Sequence, residues 1–295
     1  MRSAVLLYNA QAGKGKIERN IDKIVGIFQQ ADYKMQPLPI DFAANPFDSC
    51  GAVDVVVVAG GDGTLNYVVN AMKQRQLSVA LGVIPAGTAN DFAGAVGMSK
   101  NVLKAARQIA HGRAQMVDCG KVEWQEKGDL QNIYFINIFS FGIFTTTSQH
   151  TPERLKHRMG KIAYLVEGFK ELRGIHAIPL TITTESESFR LPTLLGLVFN
   201  GQTAGRMPLA READLSDGEF DCIFLRKRTP IVSALDMLLY MVGIKTAAVK
   251  CLRARELVLE ASAAEATDVD GQRGGKFPMR VRCLPGELCV IYPEN

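Results

Sequence analysis

Three glycines enclose a single aspartate in Gly60-Gly61-Asp62-Gly63-Thr64, which directly follows an apolar, β-branched run at 53–60. Such a run predicts a strand buried on both faces of a parallel sheet, and the pattern at 65–74 predicts a helix after it. Backbone without Cβ atoms can approach phosphate closely, and N–H groups at a helix start favour anions. The segment therefore predicts a phosphate site in which Asp62 acts through Mg²⁺ or a metal-bound water. A tight turn with a capping aspartate is the structural alternative.

Two more loops follow predicted strands in the same part of the chain. The loop at 9–16 lacks the Walker A spacing, but its glycines and lysines could still cradle a phosphate. In the loop at 85–91, Thr88 can hydrogen-bond phosphate or ribose, and Asp91 can add a carboxylate near the metal. A plain turn explains the loop at 9–16 equally well, and a capped helix start explains the loop at 85–91. Because all three loops follow strands of one sheet, together they favour a nucleotide site.

The order of elements predicts an α/β plus all-β protein. Strand and helix patterns alternate over 1–116, which predicts a doubly wound α/β nucleotide-binding domain. Over 117–282 most segments read as strands, several with period-two alternation, and helical patterns interrupt them only around 162–172 and 231–242. We therefore expect a C-terminal antiparallel β-sandwich-like domain. A chain of 295 residues is long enough for both.

Composition narrows the partners. The formal net charge is only +4, from 34 Lys and Arg against 30 Asp and Glu, so nucleic-acid binding is not expected. The six cysteines lack metal-ligand spacing and are expected to be reduced thiols of a cytoplasmic protein. The longest apolar helical tract, at 231–244, contains Asp236 and is shorter than a membrane span, so any contact with a bilayer should be peripheral. Basic clusters at 156–161 and 226–228 could meet anionic headgroups, although solvated faces are the more common explanation.

Six segments in combination resemble one family. Gly60–Asn66, the loop at 9–16 and the stretch at 85–93 are similar to the soluble bacterial diacylglycerol-kinase-like lipid kinases, whose superfamily includes sphingosine and ceramide kinases. The stretches at 159–169, 213–221 and 268–272 resemble that family's Leu-Gly-Lys-Leu-Ala-Tyr helix, its metal-site stretch and its Asp-Gly-Glu signature. The glycine motif alone also resembles NAD kinases and, more loosely, phosphofructokinases. The combination favours the lipid kinases.

The resemblance implies an ATP- and Mg²⁺-dependent kinase that phosphorylates a hydroxyl of a membrane lipid. The implied ATP site lies between two domains and comprises Asn9, Ala10, Gln11, Ala12, Gly13, Gly60, Gly61, Asp62, Gly63, Thr64, Leu65, Asn66 and Thr88. The lipid tail would lie in an apolar groove of the β domain. The resemblance also implies that the last strand, within 283–295, returns to the first domain, and that a homodimer is plausible.

The resemblance further implies a structural Mg²⁺ held by Asp217, with backbone carbonyls from Asp214 and Glu219. The residues themselves support this in part, because three carboxylates around a glycine turn suit a hard cation. A surface β-turn is the alternative.

One position departs from the family pattern. The family places a glutamate, its general base, two residues after the aspartate of its signature, but here Gln272 follows Asp270. An amide cannot accept a proton at neutral pH. Three readings are open: Asp270 takes the proton, Gln272 only orients the hydroxyl, or the protein turns over poorly. We expect the first two jointly, so Asp62, Asp270 and Gln272 are the predicted catalytic residues.

Two other functions stay open. One is a kinase for a soluble acceptor, as in NAD kinase, against which the family-like segments of the β domain argue. The other is a nucleotide-binding regulatory protein with little turnover, suggested by Gln272. The acceptor lipid is also open among diacylglycerol, sphingoid bases, ceramide, phosphatidylglycerol and polyprenol.

Overall fold

A computed structural model describes residues 1–143, 177–261 and 267–294. The predicted helix around 162–172, the stretch at 159–169 and the basic cluster at 156–161 lie outside the described residues. Within them, no helix is both long enough and apolar enough to cross a membrane.

The N-terminal part is a parallel sheet with helices packed on it. Four strands lie in the order β2-β1-β3-β4, all parallel to their neighbours. Their bounds are β1 Arg2–Tyr8, β2 Tyr33–Pro39, β3 Val55–Gly60 and β4 Ala80–Pro85. The helices are α1 Ile21–Gln30, α2 Asp62–Gln74, α3 Asp91–Ala95 and α4 Val102–Ala110. Every residue of β3 is buried, as expected for a strand covered on both faces.

Two helix starts differ in how they are stabilised. The side chain of Asn101 accepts hydrogen bonds from the backbone N–H groups of Leu103 and Lys104, at 3.1 and 3.0 Å, and so caps α4. In contrast, α2 begins at Asp62 itself, inside the glycine loop. The free N–H groups of its first turn therefore belong to that loop.

The C-terminal part is a set of antiparallel strands around two apolar cores. The longer strands are β5 Arg113–Glu126, β6 Asp129–Phe135, β7 Ile138–Gly142, β8 Ile178–Thr183, β9 Ser188–Phe199, β12 Phe220–Arg226, β13 Val249–Ala254, β14 Glu256–Ala261 and β17 Met279–Tyr292. The short strands are β10 Thr203–Ala204, β11 Met207–Pro208, β15 Thr267–Val269 and β16 Gln272–Arg273. Among the described residues of this part there is one helix, α5 Pro230–Met241, which packs on β12 and β13.

Strand β17 joins the two parts. It pairs antiparallel with β5 along most of its length and with β14, and its end lies parallel to β4 through Val290 and Leu81. A continuous hydrogen-bonded sheet of fifteen strands results. The predicted fold class, an α/β domain followed by an antiparallel β-sandwich-like domain, is confirmed.

Several boundaries differ from the sequence prediction for clear reasons. The apolar segment at 133–140 reads in sequence as one strand, but the chain leaves the ladder between β6 and β7, at 136–137. The backbone N–H groups there bind a distant carboxylate instead of a neighbouring strand. Conversely, the segments at 279–284 and 288–292, which read in sequence as two strands, form the single strand β17. Its register with β5 shifts between Leu284 and Leu288.

Candidate active site

Three loops meet at the carboxyl ends of β1, β3 and β4, as the sequence predicted. Asn9 donates a hydrogen bond of 3.4 Å from its amide nitrogen to the hydroxyl of Thr64. Gly13 has a positive φ of 59°, and a Cβ added there would lie 3.3 Å from the carbonyl oxygen of Ala86. The first loop (9–16), the second loop (60–64) and the third loop (85–91) therefore touch one another.

The contact between the second and third loops is made by bare backbone. A Cβ built on Gly87 would lie 2.4 Å from the Cα of Gly61, which no real side chain tolerates. The side chain of Asn90 closes the third loop, because it bonds both the N–H and the carbonyl oxygen of Gly87 at 2.8 Å. Asn90 precedes α3 in the left-handed conformation and makes no capping bond.

We expect Gly87→Ala to weaken nucleotide binding and to destabilise the protein by about 1–3 kcal/mol, because the added methyl must push the two loops apart. Thermal unfolding and titration with a fluorescent nucleotide measure the two effects. Gly94→Ala, in α3, is the matched control, since a Cβ there meets nothing within 4 Å. Equal behaviour of the two variants would contradict the close contact of the loops.

Asp62 is half-buried at the first position of α2 and lines a cavity. One carboxylate oxygen accepts a hydrogen bond of 3.3 Å from the backbone N–H of Phe92. Burial raises the pKa of Asp62, and the negative charge of Asp91 raises it further. Two neighbouring acidic groups of this kind favour a bound cation, and Mg²⁺ is typically held by one or two carboxylates together with substrate phosphates. The residues at this position therefore fit Mg²⁺.

Asp91 also anchors the two parts of the protein, and its place near the metal stays a prediction. Its carboxylate accepts hydrogen bonds from the hydroxyl of Thr203 and from the backbone N–H groups of Gly205 and Arg206, each at 2.7 Å. Arg206 in turn donates to the carbonyl oxygens of Thr88 and Ala89. These bonds attach the β10–β11 hairpin of the C-terminal part to the third loop. Asp91 is thus an anchor between the two parts of the protein.

Asp270 is a buried hub. One of its oxygens accepts from the backbone N–H groups of Asn137 and Ile138, at 3.1 and 2.8 Å. The other accepts from the N–H of Ile136 and the side-chain amide of Asn66, at 2.7 and 2.9 Å. Burial raises the pKa of Asp270 to about 6 although these four donors oppose the shift. A carboxylate with four N–H partners is poorly suited to accept a proton as well.

Gln272 reaches the glycine loop. Its side-chain nitrogen donates a hydrogen bond of 3.1 Å to the carbonyl oxygen of Gly63. An ionised glutamate has no donor and could not make this bond. The departure from the family pattern therefore has a structural counterpart, since an amide is required for the contact seen here.

The remaining predicted nucleotide residues fall into two groups. Ala10, Gln11 and Ala12 lie at or near the surface in the first loop, where the N–H of Gln11 bonds the side chain of Asn9. Leu65 and Asn66 are buried behind the second loop. Leu65 packs in the N-terminal core, and Asn66 bonds Asp270 and the carbonyl oxygen of Tyr134. The side chains of this second group support the loop from behind.

A cavity of about 370 Å³ opens beside these loops. Four carboxylates line it, those of Asp62, Asp91, Asp268 and Asp270. The rest of its lining is largely apolar and includes Leu195, Leu197, Leu209, Met237 and Met241. The cavity therefore combines carboxylates with an apolar surface.

Sequence reasoning singled out three of these carboxylates but missed Asp268, which lies in the same segment as Asp270. One of its oxygens accepts a hydrogen bond of 2.9 Å from the N–H of Gly271, and burial raises its pKa. Its neighbour across β7 and β15 is Ser140, which also lines the cavity. The sequence near Asp268 does not show this neighbour, because β7 lies far away along the chain.

The predicted structural Mg²⁺ site has a different neutralising group nearby. Arg253 forms an ion pair with Asp217 and lies 3.5 Å from Glu219 and 3.9 Å from Asp221. Asp214 is occupied by Ser216, which donates to it through both its N–H and its hydroxyl. Among the described residues no group of three or more acidic, Cys or His side chains could hold a metal. These side chains fit a guanidinium better than a metal, and the structural Mg²⁺ stays a prediction.

Comparisons with known proteins agree over the whole chain. Residues 3–122 match the family described as "Diacylglycerol kinase catalytic domain", and residues 137–292 match the "YegS C-terminal NAD kinase beta sandwich-like domain". A diacylglycerol kinase of Bacillus subtilis (strain 168) is 29% identical over 100% of this chain and 98% of its own. One of Staphylococcus haemolyticus is 30% identical over 100% of this chain and 89% of its own.

Solved structures share the fold. A crystal structure from Bacillus anthracis str. Sterne has a TM-score of 0.80 at 24% identity, covering 99% of this chain and 95% of that one. A second, of a diacylglycerol kinase from the same strain, has a TM-score of 0.73 at 21% identity, covering 99% and 97%.

Proposed function

Because the chain belongs to the diacylglycerol kinase family and is a kinase, we propose that it transfers the γ-phosphoryl group of ATP to a hydroxyl of a membrane lipid. One observation carries this proposal. The glycine loops and the apolar cavity share Asp62, so a phosphate donor and a greasy acceptor can meet at that residue. Diacylglycerol or a related lipid is the proposed acceptor.

Different residues of the chain would bind the phosphates, the metal ion and the lipid. The backbone of the three loops and the first N–H groups of α2 would bind and orient the phosphates. Asp62 would hold Mg²⁺, which, when bound, neutralises charge on the transferring phosphoryl group. The side chains of Leu195, Leu197 and Met237 would hold the acyl chain and exclude water from the reacting hydroxyl. Positioning of donor and acceptor then supplies most of the catalysis.

The test is transfer of label from γ-labelled ATP, with Mg²⁺, to total membrane lipid presented in vesicles. We expect labelled phospholipid, whose identification names the acceptor. NAD in place of lipid tests the NAD-kinase-like alternative, which the apolar cavity disfavours. Tight nucleotide binding without transfer to any lipid would instead favour the regulatory alternative.

We also propose that the protein binds the membrane peripherally through α5. The inner side of this helix, with Met237 and Met241, lines the cavity. On its outer side, Leu235 is 51% exposed, and Ile244 in the turn that follows is 53% exposed. Exposed Lys245 and the basic residues at 226–228 lie at the two ends of the helix. Apolar and basic groups together suit an anionic bilayer, and the lipid cavity lies directly behind them.

We expect Ile244→Asp to lower partition onto vesicles of phosphatidylglycerol and phosphatidylcholine by about tenfold or more, because an aliphatic side chain contributes about 1.5–3 kcal/mol on burial. Sedimentation with vesicles measures the effect. Leu130→Asp is the matched control, since Leu130 is 60% exposed but belongs to β6. Equal losses in both variants would count against α5 as the docking surface.

The homodimer that the family resemblance implies stays a prediction. Light scattering of the purified protein would measure its molar mass and so test it.

A further inference from the structure

We propose that Asp268 accepts the proton of the lipid hydroxyl and so supplies the general base that Gln272 cannot. This inference rests on the proposed function and deepens it. Its basis is the number of hydrogen bonds that each carboxylate lining the cavity accepts.

Two of the four carboxylates are already engaged by several hydrogen bonds to distant parts of the chain. Asp270 accepts four N–H bonds, and Asp91 accepts three bonds from the β10–β11 hairpin. Both hold the two parts of the protein together. Protonation of either group during turnover would weaken bonds that stabilise the site itself.

The other two carboxylates, Asp62 and Asp268, accept fewer bonds from distant residues among the described part of the chain, which leaves acceptor capacity on each. Asp62 lies at the start of α2, where it serves the phosphates. Asp268 lies on β15, in the C-terminal part, beside the apolar lining. The acceptor lipid would enter from that lining, so Asp268 is the carboxylate on the acceptor side.

The β15–β16 hairpin explains how the position of the base could differ here. Val269 and Gln272 are cross-strand partners, as are Asp268 and Arg273. The bond from Gln272 to Gly63 fixes this hairpin against the glycine loop. An amide therefore anchors the hairpin, and a carboxylate on its other strand faces the cavity. The roles of anchor and base are divided between the two strands.

The charged groups around Asp268 suit the role. Asp62, Asp91 and Asp270 line the same cavity, and burial raises the pKa of Asp268, which makes proton uptake more favourable. Arg273 is exposed, and within the described ranges no ion pair joins it to Asp268. The second oxygen of Asp268 has no protein partner among the bonds of the described residues.

In the proposed step, the hydroxyl oxygen of the lipid forms a bond to the γ-phosphorus while the bond from that phosphorus to the β,γ-bridging oxygen breaks. The electron pair of the broken bond stays on ADP. The hydroxyl proton passes to the second oxygen of Asp268 and later to solvent. No oxidant, reductant or further reactant is needed.

The test compares Asp268→Asn with the wild-type protein in the labelled-lipid assay. Asparagine keeps an oxygen for the N–H of Gly271, so the hairpin should fold. We expect kcat to fall by about 100-fold, because a general base contributes at least that much, with the nucleotide Kd and the lipid KM within about threefold of the wild type. Asp129→Asn, the same change at an exposed aspartate at the start of β6, is the control and should keep near-normal kcat.

A second variant, Gln272→Glu in the wild-type background, keeps the proposal falsifiable. We expect less than about a threefold gain in kcat, because a base is already present and the bond to Gly63 is lost. Overturning results are an Asp268→Asn protein with normal kcat, or a gain of about tenfold or more from Gln272→Glu. Failure of the proposed function looks different, since the wild-type protein itself would then transfer no phosphate to lipid.

Discussion

Asp62→Asn is expected to lower kcat for lipid phosphorylation by about 100-fold or more, because it removes the carboxylate on which charge stabilisation of the transferring phosphoryl group depends. Asp62 is the residue shared by the glycine loops and the apolar cavity. The fold should survive, since Asp62 is half-buried and asparagine can also accept the 3.3 Å bond from the N–H of Phe92. Initial rates of label transfer and the thermal unfolding temperature are the measurements.

The control for this variant is Asp129→Asn, an equal charge change at an exposed position at the start of β6. It should leave kcat within about twofold of the wild type, as surface changes usually do. Full activity of Asp62→Asn would mean that phosphoryl transfer does not occur at this loop, and the proposed function would have to be abandoned.

Asp270→Asn should lower the free energy of unfolding by about 2–4 kcal/mol. Asparagine replaces one acceptor oxygen with an NH₂ group, which then faces N–H donors that have no other partner in a buried site. The backbone at Asp270 is left-handed, with φ of 50°, and asparagine tolerates this conformation as well as aspartate does. The loss would therefore report the hydrogen bonds of the hub. Urea unfolding followed by fluorescence of Trp124, the single tryptophan, measures it.

Asp32→Asn is the matched control for this experiment. Asp32 also has a left-handed backbone, with φ of 61°, but its carboxylate is exposed. Its substitution should change the unfolding free energy by less than about 0.5 kcal/mol. If both variants were equally stable, Asp270 would not be the hub that fixes Asn66 and the segment 136–138.

Most of the nucleotide side of the site could be predicted from local sequence. Burial of β3 appears as a continuous apolar run, and the bare backbone of the second loop appears as consecutive glycines. Both signals lie within a dozen residues, so the chain's own periodicity is enough to read them. That the three loops converge followed from a general property of parallel sheets.

The acceptor side could not be predicted in the same way. The hub bond joins Asn66 to Asp270 across 204 positions, and the bonds of Asp91 reach residues 112 to 115 positions away. Nothing in the sequence around Asp91 distinguishes an anchor from a metal ligand, because both need a carboxylate near a loop. The position of Asp268 in the cavity likewise depends on the pairing of β15 with β7.

The order of most strands and helices, the glycine loop and the family can be read from local sequence, because burial period and backbone freedom are properties of neighbouring residues. Which carboxylates keep acceptor capacity depends on the folded chain, since their hydrogen-bond partners come from strands far apart in sequence. Asp62 is therefore recognisable in a motif, whereas Asp268 is recognisable only once the distant partners of Asp91 and Asp270 are known.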